Sequence, residues 1–171
     1  MIVKISIIVG SDGKNLELAQ KFEACLKDLG ASVCIADLVK MNLPLYSPAM
    51  EKSHAPEELM ASHLHYLDCD GFVFLSPEYN GSTAPAFTNF IAWVSRCGKN
   101  WRGFFNQKTA VIGSASGGGT TVMAVLRLQL SHLGVNVLGP GVSVSEQRPV
   151  DEKFLQFVSQ QLLKLSAASK T

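Results

Sequence analysis

Three short runs hold most of the residues able to do chemistry in this 171-residue chain. Gly10-Ser11-Asp12-Gly13-Lys14-Asn15 combines two glycines with the neutral donors Ser11 and Asn15 and the charge of Lys14. Where a strand runs into a helix, such residues join unpaired N–H groups and the positive end of the helix dipole, a combination suited to a phosphate monoester. The Gly-x-x-x-x-Gly-Lys-Ser/Thr spacing of a Walker loop is absent. The same run also fits an ordinary turn with Asp12 as helix N-cap, and the Asp12 carboxylate would repel an anion.

In the second run, Ser76-Pro77-Glu78-Tyr79-Asn80-Gly81-Ser82-Thr83-Ala84-Pro85, Pro77 fixes φ and Asn80-Gly81 is a turn pair. Pro85 suits a first helical turn. Tyr79 offers an aromatic face and a hydroxyl to a planar ligand, or serves as a surface tyrosine on a capped connection. The third run, residues 113–119, has four glycines in seven positions. It lets backbone approach a ligand closely and offers N–H donors, or is simply a flexible loop. Ala115 occupies the position a serine-hydrolase elbow reserves for its nucleophile, which removes that reading.

Other reactive residues carry less. Cys25, Cys34, Cys69 and Cys97 form no Cys-x-x-Cys pair, and Cys25 and Cys34 read as small buried hydrophobes. His63 and His65 point to different helix faces, and His54 and His132 stand alone, so no metal site is expected. Nothing in the sequence brings Glu78 and Glu146 together. Arg96, Arg102, Arg127 and Arg148 are scattered cations that nothing in the sequence ranks.

The elements that must position the three runs alternate along the chain. Residues 2–9, 32–36, 71–75 and 109–112 read as strands, with 135–138 and 142–144 supplying a fifth. Helical stripes run through Leu18, Phe22, Cys25, Leu26 and Leu29 up to Gly30, and through Phe87, Phe90, Ile91 and Val94. Two more run through Val122, Leu126, Leu130 and Leu133, and through Phe154, Val158, Leu162 and Leu165. Pro56 opens a helix with Met60, Leu64 and Leu67 on one face, residues 40–53 read as a long loop, and residues 166–171 as a fraying end. Alternation of this kind predicts an α/β, flavodoxin-like three-layer fold with a five-stranded parallel sheet in the order 2-1-3-4-5. The three runs then fall at the carboxyl ends of strands one, three and four, beside the switch in strand order, where such sheets bind ligands.

Composition agrees. Apolar residues make up 47% and charged residues 17%, as for a well-filled core. The length suits one domain spanning residues 1–171. Fifteen Lys+Arg against 14 Asp+Glu leave +1, which gives no electrostatic footprint for nucleic acid. No apolar stretch is long enough for a bilayer, and the N-terminus runs straight into a strand, so a cytoplasmic protein is expected.

These residues together resemble the NADPH-dependent FMN reductases, a family that includes quinone, chromate and azo-dye reductases. Pro77-Glu78-Tyr79-Asn80-Gly81-Ser82 is the most specific segment, followed by Asn89-Phe90-Ile91-Ala92-Trp93-Val94-Ser95-Arg96. Leu43-Pro44-Leu45-Tyr46 and Ser116-Gly117-Gly118 also resemble family segments. The resemblance implies bound FMN and hydride transfer from NADPH or NADH to a small acceptor such as a quinone, free flavin, azo dye or metal oxyanion. By that likeness Ser11 and Asn15 hold the phosphate, while Pro77, Glu78, Tyr79, Asn80, Gly81, Ser116, Gly117 and Gly118 flank the isoalloxazine. Gly13 stands where the family has an Arg, with Lys14 as the replacement charge, and Leu16 stands where it has a Ser. Thr88 and Ala92 replace a family Lys and Asp. No protein acid or base is assigned, because the cofactor carries the hydride chemistry. A homodimer or homotetramer is implied, with Trp93, Trp101, Phe104 and Phe105 as candidate aromatic anchors. The alternatives are a flavodoxin-type electron carrier, whose usual acidity a charge of +1 does not match, and a non-redox nucleotide-binding module on the same fold.

Overall fold

The computed structural model describes residues 2–115 and 119–169. The strands are β1 (Lys4–Val9), β2 (Ser32–Asp37), β3 (Gly71–Leu75), β4 (Thr109–Ser114), β5 (Asn136–Val137) and β6 (Val142–Ser143). They form one parallel sheet in the order β2-β1-β3-β4-β5. β6 pairs with β4 at Gly113 and Ser114, whereas β5 pairs at Thr109 and Ala110, so the two pieces together stand in the fifth-strand position. The sheet order is the one the alternation of elements predicts. β3 and β4 are buried throughout and β1 from Ile5 onward, which is why these strands read as unbroken apolar runs.

Side chains alternate across the sheet into two cores. On one face Ile5, Ile7, Val9, Val73 and Val111 meet Leu18, Phe22 and Leu26 of α1 (Lys14–Asp28) and Leu155, Val158 and Leu162 of α7 (Glu152–Ala168). On the other, Ile8, Phe72, Phe74 and Ile112 meet Phe87 and Phe90 of α5 (Pro85–Val94) and Leu126 and Leu130 of α6 (Thr120–His132). Among the described residues no helix is long and apolar enough to cross a membrane.

Local details depart from the sequence reading. The loop expected over residues 40–53 contains the end of α2 (Leu38–Met41) and all of α3 (Pro48–Ser53). Asp37 caps α2 by accepting from the N–H groups of Val39 and Lys40, and Ser47 caps α3 by accepting from Met50 N–H. The helix opened by Pro56 stops after one turn as α4 (Pro56–Met60), and a 3₁₀ turn (Leu64–Leu67) brings Leu67 into the same core as Met60. In α7 the buried face is Leu155, Val158, Ser159, Leu162 and Ser166, while Leu165 is 40% exposed and Phe154 is half-buried. The final turn is therefore docked at Ser166. Cys25 and Cys34 are half-buried, and the buried thiols are Cys69 and Cys97. Burial pushes Cys69 up to about 12 and Cys97 up to about 11, leaving both as inert thiols at neutral pH.

Docking of α7 rests on a glycine. A Cβ at Gly71 would collide with Ser166 Oγ and press on Thr109 O at 3.1 Å. Gly71→Ala should destabilise the protein by about 1–3 kcal/mol. Adding Ser166→Ala removes the colliding oxygen, itself buried without a hydrogen-bond partner, and should restore part of that loss. Denaturant unfolding of the two single variants and the double variant checks this; strictly additive losses would contradict it.

Candidate functional site

The carboxyl ends of β1, β3 and β4 lie side by side, and backbone bonds carry the pairing one residue beyond β1 and β3. Gly10 N–H donates to Leu75 O at 2.9 Å, and Ser76 N–H donates to Gly113 O at 3.1 Å. Gly113 fits there because a Cβ would come within 2.8 Å of Val142 O.

The first loop enters α1 without a side-chain cap. The N-cap position is Gly13, and Asp12, the alternative cap in the sequence reading, is exposed. The opening N–H groups of α1 thus keep their preference for an anion. A Cβ built on Gly13 meets no atom within 4 Å, so open space adjoins the helix start. Ser11 is half-buried and Asn15 is 2% exposed. Asn15 Nδ2 donates to Ser11 Oγ at 3.3 Å. Lys14 reaches outward, and its Nζ lies 2.9 Å from Glu146 Oε1 in an exposed ion pair. That ammonium holds the Glu146 carboxyl below its ordinary range, so the pair persists at neutral pH and is lost only as pH falls through the lowered value. Leu16, at the position of a family Ser, packs partly buried against the α1 core. A cleft of about 320 Å³ opens beside Lys14, with Leu18, Ala115, Val144, Glu146 and Val150 among its walls.

The second loop is rigid at both ends. Ser76, fully buried, donates through Oγ to Pro77 O and accepts from Ala84 N–H at 2.9 Å, closing the loop on itself. Sequence reasoning passed over Ser76, although a polar residue between a buried strand and a proline was its signal. Asn80 (φ 51°) and Gly81 (φ 74°) form a two-residue turn flanked by reciprocal bonds between Tyr79 and Ser82. Positive φ at both central residues is what Asn-Gly supplies. Tyr79 is left 51% exposed. Glu78 turns inward, and its Oε2 accepts from Val122 N–H, in the first turn of α6, at 3.2 Å.

Of the third loop, Ser116, Gly117 and Gly118 lie outside the described residues. Its flanks are described: Ala115 is buried, and Gly119 begins α6 at φ 67°, also without a side-chain cap. Ala115 N–H donates to Asn15 Oδ1 at 2.9 Å. The structure therefore joins the first loop to the third through Asn15, and the second to α6 through Glu78. Glu78 and Glu146 serve different partners.

A fourth segment, residues 43–46, is clamped to α5. Asn89 accepts from Tyr46 N–H at 2.8 Å and donates to the carbonyls of Leu43 and Pro44. Trp93 Nε1 donates to Pro44 O at 2.7 Å, and its ring meets Tyr46 edge-on with centroids 5.3 Å apart. Of the four expected anchors, Trp93 and Phe105 are fully buried in the chain's own core, and Trp101 and Phe104 pack against it. Aromatic type alone does not say which surface a ring covers. Among the arginines, Arg96 lies over Tyr46 near Glu51, Arg102 donates to His132 O, and Arg127 donates to Val137 O and Gly139 O.

This doubly wound sheet, in the order β2-β1-β3-β4-β5 with helices on both faces and an uncapped helix start at its switch edge, defines the flavodoxin-like class. The model of the NADPH-dependent FMN reductase family matches residues 3–149, and the chain belongs to that family. It is 34% identical over 135 residues to a 2-hydroxy-1,4-benzoquinone reductase from Burkholderia sp., covering 75% of this chain and 69% of the relative. It is 29% identical over 144 residues to an NAD(P)H-dependent FMN reductase of Pseudomonas aeruginosa, covering 78% and 76% of the two chains. The NAD(P)H:acceptor flavoenzyme FerB from Paracoccus denitrificans shares the fold, with a TM-score of 0.72, 22% identity, and coverage of 98% of this chain and 99% of that one. The chain is accordingly an FMN-dependent oxidoreductase that uses NAD(P)H.

Proposed function

We propose that the loop edge binds FMN through Ser11, Gly13 and Lys14 at the phosphate, with Asn15 supporting that loop from within, that Pro77, Tyr79, Asn80 and Gly81 lie beside the ring with Glu78 behind them, and that a quinone is the acceptor. Ser116, Gly117 and Gly118 complete the ring site in this reading. The observation that carries it is the uncapped start of α1, with open space at Gly13, on the edge where the strand-end loops meet. When bound, FMN supplies the hydride-transfer chemistry. The chain's own part is to hold the phosphate on backbone N–H groups, fix the loops beside the ring and leave the rim accessible. A quinone is favoured because the Burkholderia relative is named as a benzoquinone reductase. The balanced reaction consumes NADPH, a proton and a quinone, and yields NADP⁺ and a hydroquinone.

Steady-state assays of the FMN-loaded protein test this. One NADPH should be oxidised for each benzoquinone reduced. NADPH left unconsumed with benzoquinone, but oxidised with an azo dye or chromate, would move the acceptor class. No oxidation with any acceptor would favour the electron-carrier reading.

We further infer that the 171 residues work as one domain, as a homodimer or homotetramer, in the cytoplasm. α5 carries no charged residue, and exposed Leu45 (78%) and Leu128 (76%) lie on the same side of the sheet. α1, on the opposite side, carries Lys14, Glu17, Lys21, Glu23, Lys27 and Asp28. An uncharged helix flanked by exposed leucines suits a second copy. The free thiols suit a reducing compartment.

The Lys14–Glu146 pair gives a further expected result. Glu146→Gln frees the ammonium for the phosphate and should tighten FMN binding by about two- to five-fold at low salt, with the gain fading as salt rises. Fluorescence titration of FMN checks it; weaker binding would show that the pair holds the loop in shape.

A further inference from the structure

We propose that Asn15 and Glu78 are positioning residues that clamp the two flanks of the third loop, rather than groups that bind flavin directly. This rests on the FMN reading of the edge. Asn15 was placed by resemblance at the phosphate, yet its carboxamide is 2% exposed and spends its oxygen on Ala115 N–H, 100 positions along the chain. Its amide group is turned to Ser11 Oγ. Ser11, on the other side of that bond, stays half-buried and free to present its hydroxyl outward. One buried side chain thus ties the phosphate loop to the residue at which β4 gives way to the third loop.

Glu78 does the same from the other side. Its carboxylate accepts from Val122 N–H, where α6 begins with no cap of its own from Gly119. A carboxylate at a helix N-terminus is held by both the hydrogen bond and the dipole. Ala115 and the first turn of α6 are thus each fixed by a side chain from a different loop. Positions of the first two loops then set where β4 ends and where α6 begins.

Two measurements test the clamp separately from the FMN reading. The first needs no flavin: hydrogen exchange of flavin-free protein, read at amides 115–122. Asn15→Ala and Glu78→Ala should each speed exchange there by about ten-fold, the loss expected for one buried or charge-assisted bond. Asn15→Asp and Glu78→Gln keep an acceptor oxygen for Ala115 and Val122 and should restore protection. The second is affinity for FMN and for riboflavin, which lacks the phosphate. Asn15→Ala should weaken both by a similar factor, about ten-fold, whereas a phosphate ligand would weaken FMN alone. Asn15→Asp should keep riboflavin affinity and lose FMN affinity by charge repulsion. Should Asn15→Ala fail to fold by thermal melt, Asn15→Asp carries the comparison. Unchanged exchange, or a loss confined to FMN in Asn15→Ala, would overturn the clamp. Normal exchange effects in a wild-type protein that binds no flavin would leave the clamp standing and remove the FMN reading.

Discussion

Gly13→Glu should lower the affinity for FMN by about 10- to 100-fold, and Gly13→Arg should raise it. There is space for both side chains, because a Cβ at position 13 meets nothing within 4 Å, and both variants share the same backbone demand at φ −98° and ψ −130°. Neither substitution has a cap to displace. The difference between them is therefore electrostatic. A unit charge about 4 Å from a phosphate contributes from about 1 kcal/mol in water to about 4 kcal/mol at a protein surface. Riboflavin serves as the control, since it lacks the phosphate and should bind both variants as it binds the wild type. Equal FMN affinity in all three proteins would remove the phosphate from this loop.

Trp93→Ala should cost about 3–5 kcal/mol, equivalent to a drop in Tm of roughly 6–20 °C for a chain of this size. The ring is fully buried, meets Tyr46 edge-on and donates to Pro44 O. Trp93→Phe keeps most of the volume and loses the hydrogen bond, so its cost should be nearer 1–2 kcal/mol. The Pro44 carbonyl is not left bare, because Asn89 Nδ2 also donates to it at 3.0 Å. Differential unfolding of the two variants checks the division between packing and hydrogen bonding. A Phe variant as unstable as the Ala variant would show that the bond to Pro44 dominates.

Much of this architecture was legible in local patterns. Unbroken apolar runs in β1, β3 and β4 announce strands covered on both faces, and glycine, proline and Asn-Gly mark the loops that follow them. Turn chemistry is local, so Asn80 and Gly81 adopt the conformations their types favour. Side-chain destinations are not local. Asn15 finds Ala115, Glu78 finds Val122, and Lys14 finds Glu146 across 100, 44 and 132 positions. Only the parallel pairing of β1, β3 and β4 brings those partners to one edge. The buried face of α7 was misread for a related reason. Ser159 and Ser166 are polar by type, yet they fit inward where bulk cannot, above Gly71 in the case of Ser166. Apolar periodicity selects the largest side chains, whereas close packing of a helix on a sheet selects the ones that fit. Capped short helices at Ser47-Pro48 and after Asp37 were hidden inside a proline-rich stretch, although their cap residues were in view.

We propose that FMN bound at this edge accepts hydride from NAD(P)H. FMN is expected over FAD because the first loop offers one helix start and no Gly-x-Gly-x-x-Gly seat for a pyrophosphate. The direct measurement is an anaerobic absorbance titration of the purified protein, reconstituted with FMN and freed of excess flavin, with NADPH and with NADH. The expected product is a yellow protein carrying one FMN per chain, bleached by one equivalent of at least one nicotinamide and recoloured by benzoquinone. A protein that retains no FMN, or whose FMN keeps its full colour with both nicotinamides, would contradict it.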